Sequence, residues 1–174
     1  MELKKYNQKW KVAFDREKAR LEDMLREQRV ASIEHIGATS VEGCSTLGTI
    51  DVLLSVYDRL DFFTIKNILA AHGYQYIQGK SNDLDDLFFI RRNSKKQIIA
   101  TIHLVHYASI TYQEYILFKF YLLEGNNAFK YNERRERVLL SGAGANEYQK
   151  DKSEYIEYVL TNFCRTSEAK QWME

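Results

Sequence analysis

One segment constrains this chain more than any other: Ile33 to Leu54, I-E-H-I-G-A-T-S-V-E-G-C-S-T-L-G-T-I-D-V-L-L. An apolar run stops at Gly37, a small-residue patch of Ala38, Thr39 and Ser40 follows, and a second apolar run opens at Ile50 with a single carboxylate, Asp51. Apolar runs of this length, separated by glycines and small hydroxyl residues, read as two strands joined by a turn. A strand that ends in such a turn can present backbone N–H groups and hydroxyls to an anion. A carboxylate on the next strand could hold a metal beside that anion. The same spacing also suits a plain strand–turn–strand element in which the glycines serve geometry and Asp51 is a satisfied polar residue.

The rest of the pattern supplies a fold around this element. Lys4 to Glu27 reads as a helix, with Trp10, Phe14, Leu21 and Leu25 at helical steps and Glu17 standing on the same stripe where an apolar residue is expected. Val30–Ile36 and Ile50–Val56 read as strands, and Leu60–His72 as a helix with Gly73 as its C-cap. Tyr74–Ile77 is a short strand, 79–86 a polar loop, and Leu87–Arg92 with Gln97–Tyr107 a hairpin. After Thr111 the texture is helical: Tyr112–Glu124, Asn127–Leu140 and Asn146–Phe163, broken at Gly125 and at 141–144. With no proline, the turns must rest on Gly, Asn, Asp and Ser. The order predicts an α+β fold in one domain, with an α/β core at 1–110 and a helical subdomain at 111–174. At 174 residues and 45% hydrophobic, the chain can bury a core without staples.

Charge narrows the partners. Lys+Arg number 25 and Asp+Glu 24, so no global field draws the chain to nucleic acid or an anionic membrane. No apolar run is long enough to span a bilayer, and the start, M-E-L-K-K-Y, shows no signal pattern. Cys44 and Cys164 are far apart and match no metal spacing; they read as cytosolic thiols, and the expected location is cytoplasmic.

The chain resembles the GrpB family, a group related to the nucleotidyltransferase superfamily, over nearly its whole length. The first helix carries the family's opening pattern at Tyr6, Trp10, Phe14, Glu17 and Leu21. The family signature H-I-G-S-T-A-V-P-G-L-A-A-K-P-I-I-D appears without a gap as H-I-G-A-T-S-V-E-G-C-S-T-L-G-T-I-D, from His35 to Asp51. His72-Gly73-Tyr74, Phe89 to Arg91 and Thr101 to Leu104 fit later family motifs, and Phe118, Tyr121, Leu122, Tyr131 and Arg135 track its helical tail. The departures are Ala38 for the family serine, Glu42 and Gly48 for its prolines, Leu47 for its lysine, and Lys119-Phe120 for an arginine–aspartate pair. The resemblance implies a nucleotidyltransferase-like mixed sheet with flanking helices, a nucleotide or other phosphorylated or acidic small molecule against the turn, and Mg²⁺ on Asp51.

Asp51 is the leading catalytic and metal candidate, although Leu53, next on its face, is not the second carboxylate that many nucleotidyltransferases carry. His103 is the second catalytic candidate: it could orient Asp51, bind a soft divalent metal, act as acid or base, or simply bond to backbone. Gly37, Thr39 and Ser40 form the expected anion cradle, with Arg91, Lys119 and Arg135 as candidate ligand-binding cations. Arg91 is equally suited to a surface ion pair with Asp83, Asp85 or Asp86. His35 either fixes the turn or faces the ligand. Tyr148 and Tyr155 read as packing. Three functions compete: metal-dependent nucleotidyl transfer, binding with weak or absent transfer, and a protein-interaction role for the C-terminal helices. The missing family serine and lysine favour binding.

Overall fold

The computed structural model describes residues 2–79 and 85–163. Its elements are α1 (Lys9–Met24), β1 (Val30–Ile36), β2 (Ile50–Val56), α2 (Asp61–Ala71), β3 (Tyr74–Tyr76), β4 (Asp86–Arg92), β5 (Ile98–His106), α3 (Ile110–Leu123), α4 (Asn127–Leu140) and α5 (Ala145–Phe163). The strands form one mixed sheet in the order β1-β2-β5-β4-β3. β2 and β5 run parallel, and the other neighbours are antiparallel. A parallel pair needs a crossover, and the chain between β2 and β5 supplies it as α2, β3 and β4. The fold is α+β, as expected.

Strand alternation gives the sheet two different faces. On one, α1 and α2 bury Phe14, Leu21, Phe62, Ile65 and Leu69 against Val52, Leu54, Phe89, Ile102 and Leu104. On the other, Ile36, Leu53 and Val105 lie under Tyr112, Tyr115 and Ile116 of α3. α3, α4 and α5 close around Phe118, Leu122, Tyr131 and Val159, and Val41 and Cys44 from the β1–β2 connection enter that same cluster. The signature segment therefore has its strands in the sheet and its loop in the helical layer. The free Cys44 thiol is pushed up to about 11 by this burial. Cys164 and Asp83 lie outside the described residues, as does 80–84 of the expected polar loop.

Two expectations need correction. The first helix does not begin at Lys4, because Lys4 pairs with Thr46 through two backbone hydrogen bonds of 2.8 and 2.7 Å. Arg91 meets neither Asp85 nor Asp86, since Asp85 pairs with Arg59 and Asp86 with His103. Alternation along β4 turns Arg91 to the α1 face, where Nε donates to Glu17 Oε1 at 2.8 Å and Nη2 donates to Oε2. Tyr74 also donates to Glu17 Oε1, at 2.7 Å. This accounts for the acid on the apolar stripe of α1: Glu17 is only 1% exposed and is satisfied by two partners from the sheet. Among the described residues, no helix is long and apolar enough to cross a membrane.

Candidate functional site

A cavity of about 470 Å³ lies between the second face of the sheet and the helical layer. Its size is ordinary for a small-molecule site. Its floor is built by register. Asp51 stands beside Thr101 and Leu53 beside His103 across the parallel β2–β5 pair, and Phe88 and Ile90 of β4 lie opposite His103 and Thr101. Its far wall carries Tyr131 and Arg135 of α4 and Tyr148, Gln149, Lys152 and Ile156 of α5.

Asp51 is held at the mouth of the turn. Thr101 donates to its Oδ1 at 2.6 Å. Gly37 takes φ +70°, and a Cβ there would come within 2.3 Å of Asp51 Oδ2. Glycine is thus required twice, for the left-handed backbone and for the close approach of the carboxylate. Gly48 adopts φ +93°. Proline cannot take that conformation, so the loop at this family proline position is built differently here.

The hydroxyls of the turn are used within it. Thr39 is fully buried, and its Oγ1 is 2.9 Å from His35 Nε2. Ser40 donates to the Gly37 carbonyl at 2.7 Å. His35 stacks on Phe14 with ring centroids 4.4 Å apart. Burial and then the nearby Lys119 lower its pKa to about 4, so it is neutral at pH 7. His35 therefore braces the turn from the α1 side. Gly37, Ala38, Leu47, Asp51, His103 and Arg135 line the cavity, whereas Thr39, Ser40, Arg91 and Lys119 do not.

His103 does not orient Asp51; Thr101 does that. Instead His103 Nδ1 lies 2.9 and 3.1 Å from the two oxygens of Asp86 and 2.7 Å from the Tyr115 hydroxyl, which itself donates to Asp86 Oδ2 at 2.7 Å. Asp86 and Tyr115 together fix the orientation of the His103 ring through its Nδ1 side. Burial and then Asp86 push the Tyr115 phenol well above its ordinary range, so it stays protonated as a donor.

Arg135 is the unusual group of the helical wall. It is only 4% exposed. Its Nη2 donates to the Ser45 carbonyl and, at 2.9 Å, to Asn132 Oδ1. Its guanidinium lies 4.0 Å over the Tyr131 ring. Nε is buried with no hydrogen-bond partner, and among the described residues the group forms no ion pair. Asn132 adds two bonds to the signature loop, to Ser45 N and the Gly43 carbonyl, each at 2.7 Å. α4 is thereby fixed against the segment that ends in Asp51.

The Mg²⁺ expected on Asp51 does not fit what these residues supply. Oδ1 already accepts from Thr101, and Asp86, the other acid on this side, is held by His103 and Tyr115. Among the described residues no three His, Cys, Asp or Glu side chains gather closely enough to hold a metal. One free carboxylate oxygen is too little for a resident octahedral ion.

Period-two spacing along β4 and β5 points to Asp86 and Thr101, and helical spacing in α3 to Tyr115. The alignment Tyr148, Lys152 and Ile156 on one face of α5 was also visible, but nothing local says which face meets the cavity.

The crystal structure of the conserved protein GrpB from Enterococcus faecalis superposes with a TM-score of 0.79 at 20% identity, covering 99% of this chain and 100% of that one. Cid1 poly(U) polymerase with MgGTP bound matches at a TM-score of 0.42 and 13% identity, over 69% of this chain and 39% of its own. The glutamate-rich protein GrpB of Alkalihalophilus pseudofirmus is 27% identical over 162 residues, 89% of this chain and 91% of its own. The UPF0157 protein YqkA of Bacillus subtilis is 26% identical over 99% of this chain, which spans only 48% of YqkA. Residues 1–162, the signature and the helical wall among them, match the family described as GrpB protein, and the chain belongs to the GrpB family.

Proposed function

We propose that this protein binds a small phosphorylated or acidic molecule in the cavity between the sheet and α4–α5, with its anionic group against Arg135 and Lys152. The observation that carries this reading is Arg135. A guanidinium has five N–H donors; here Nη2 meets two oxygens, the group also bonds the Tyr148 hydroxyl, Nε is buried without a partner, and no carboxylate forms an ion pair with it among the described residues. A buried, uncompensated charge costs several kcal/mol in general, and an anion in the cavity would offset that cost. Lys152 also lines the cavity and forms no ion pair among the described residues.

A nucleotide is one member of this ligand class. Nucleotidyl transfer is the weaker part of the proposal, because it calls for charge neutralisation at both the α-phosphate and the departing pyrophosphate. Leu47 replaces the family lysine on the cavity lining, and among the described residues no three His, Cys, Asp or Glu side chains gather to hold a metal. The reading is one of binding.

Thermal shift with inorganic phosphate, nucleoside mono-, di- and triphosphates and small dicarboxylic acids, each with and without Mg²⁺, tests it. At least one of these anions should raise the melting temperature. Arg135→Lys and Lys152→Ala should blunt the response while keeping a single cooperative transition. No response to any of them would favour an interaction role for the C-terminal helices.

A further inference from the structure

The cavity is polarised. Its floor offers acceptors, Asp51 Oδ2 and the lone pairs of Thr101 Oγ1, coupled through the Thr101–Asp51 bond of 2.6 Å. Its wall offers donors: the Arg135 guanidinium and the Lys152 ammonium. Asp51 forms no ion pair among the described residues, and Arg135 forms none either. Two opposite charges therefore line one cavity without neutralising each other.

From this we infer that the ligand is a zwitterion, an amine-bearing phosphate or carboxylate whose ammonium seats on Asp51 and Thr101 and whose anion faces Arg135 and Lys152. The inference rests on the anion-binding reading above and adds the identity of the other end. A metal ion is the competing occupant of the floor, and the single free carboxylate oxygen suits it poorly. An ammonium instead brings three donors and no demand for six oxygens. Its charge-assisted bond to a partly buried carboxylate is among the stronger hydrogen bonds. Phe88 and Ile90 of β4 add apolar lining to the same cavity, which suits a short carbon chain.

The test uses matched pairs in calorimetric titration at pH 7: ω-aminoalkyl phosphates of two to four carbons against the alkyl phosphates of the same length, in EDTA and again in Mg²⁺. At the best length the amine should improve affinity about tenfold in EDTA, the value of one charge-assisted bond. Asp51→Asn should abolish that advantage, so that the aminoalkyl phosphate binds no better than the alkyl phosphate of the same length. Arg135→Lys should weaken both members of the pair. Equal binding of the two in EDTA, or an amine advantage that survives Asp51→Asn, would overturn the zwitterion and leave the anion reading standing. Mg²⁺ tightening the alkyl phosphates more than the amine does would assign the floor to a metal and also overturn it. Binding of neither member under any condition would end both readings.

Discussion

The two faces of the sheet each bury charge, and they treat it in opposite ways. On the α1 face, Glu17, Arg91 and Tyr74 close on one another, with each Glu17 oxygen accepting from Arg91. On the cavity face, Asp51 and Arg135 line the same space without pairing among the described residues. A closed cluster spends its donors and acceptors on the fold. An open one leaves them for something else. The amino acids are nearly the same, so residue type alone does not distinguish a structural pair from a site. The partner does.

The sharpest way to break this comparison is to remove one member of the closed cluster. Glu17→Ala leaves Arg91 and Tyr74 without their acceptor, and urea unfolding should show a loss of about 3 kcal/mol. A loss as small as that of a surface substitution would mean the cluster is not closed. Gly37→Ala should come next, at about 2 kcal/mol, from the left-handed backbone and the displaced Asp51 carboxylate. It should also remove any binding that depends on Asp51.

The pH response of His35 sharpens the structural side of the comparison. Its folded-state pKa of about 4 lies below the ordinary 6.5, so the unfolded chain binds the proton more tightly. Stability is fully present above pH 6.5 and falls as the pH drops toward 4, by about 1 kcal/mol between pH 7 and 5.5. His35→Gln should flatten that slope in equilibrium unfolding. An unchanged slope would show that His35 is not held neutral in the folded protein. The smallest expected effect belongs to the open side. Asp51→Asn removes a carboxylate that has one hydroxyl partner and no ion pair among the described residues. Its unfolding free energy should stay within about 0.5 kcal/mol of the parent. A loss comparable to Glu17→Ala would place Asp51 in the structural class.

What the sequence disclosed follows the same division. β1 and β2 were legible to the residue, because Gly37 ends one apolar run and Asp51 lies at the start of the next. Asp51 and His103 were legible as cavity candidates, since period-two alternation assigns faces without tertiary knowledge. Glu17 was visible as an anomaly, but Arg91 is 74 residues away and no local rule joins them. Thr39 and Ser40 had the composition of an anion cradle, yet their hydroxyls serve His35 and the Gly37 carbonyl. The true start of α1 was hidden because Lys4 answers to Thr46 rather than to its helical neighbours. Lys152 was hidden because helix packing, not sequence, decides which face of α5 meets the cavity.

The most direct test of the open cluster is the Arg135 Nε–H resonance in a ¹H–¹⁵N spectrum during titration with propyl phosphate, with Arg91 Nε–H as the internal control. Arg135 Nε is buried without a partner, and Arg91 Nε donates to Glu17 at 2.8 Å. The expected result is a saturable shift of the Arg135 resonance while the Arg91 resonance stays in place. An Arg135 resonance that does not move, or one that moves no more than that of Arg91, would contradict it.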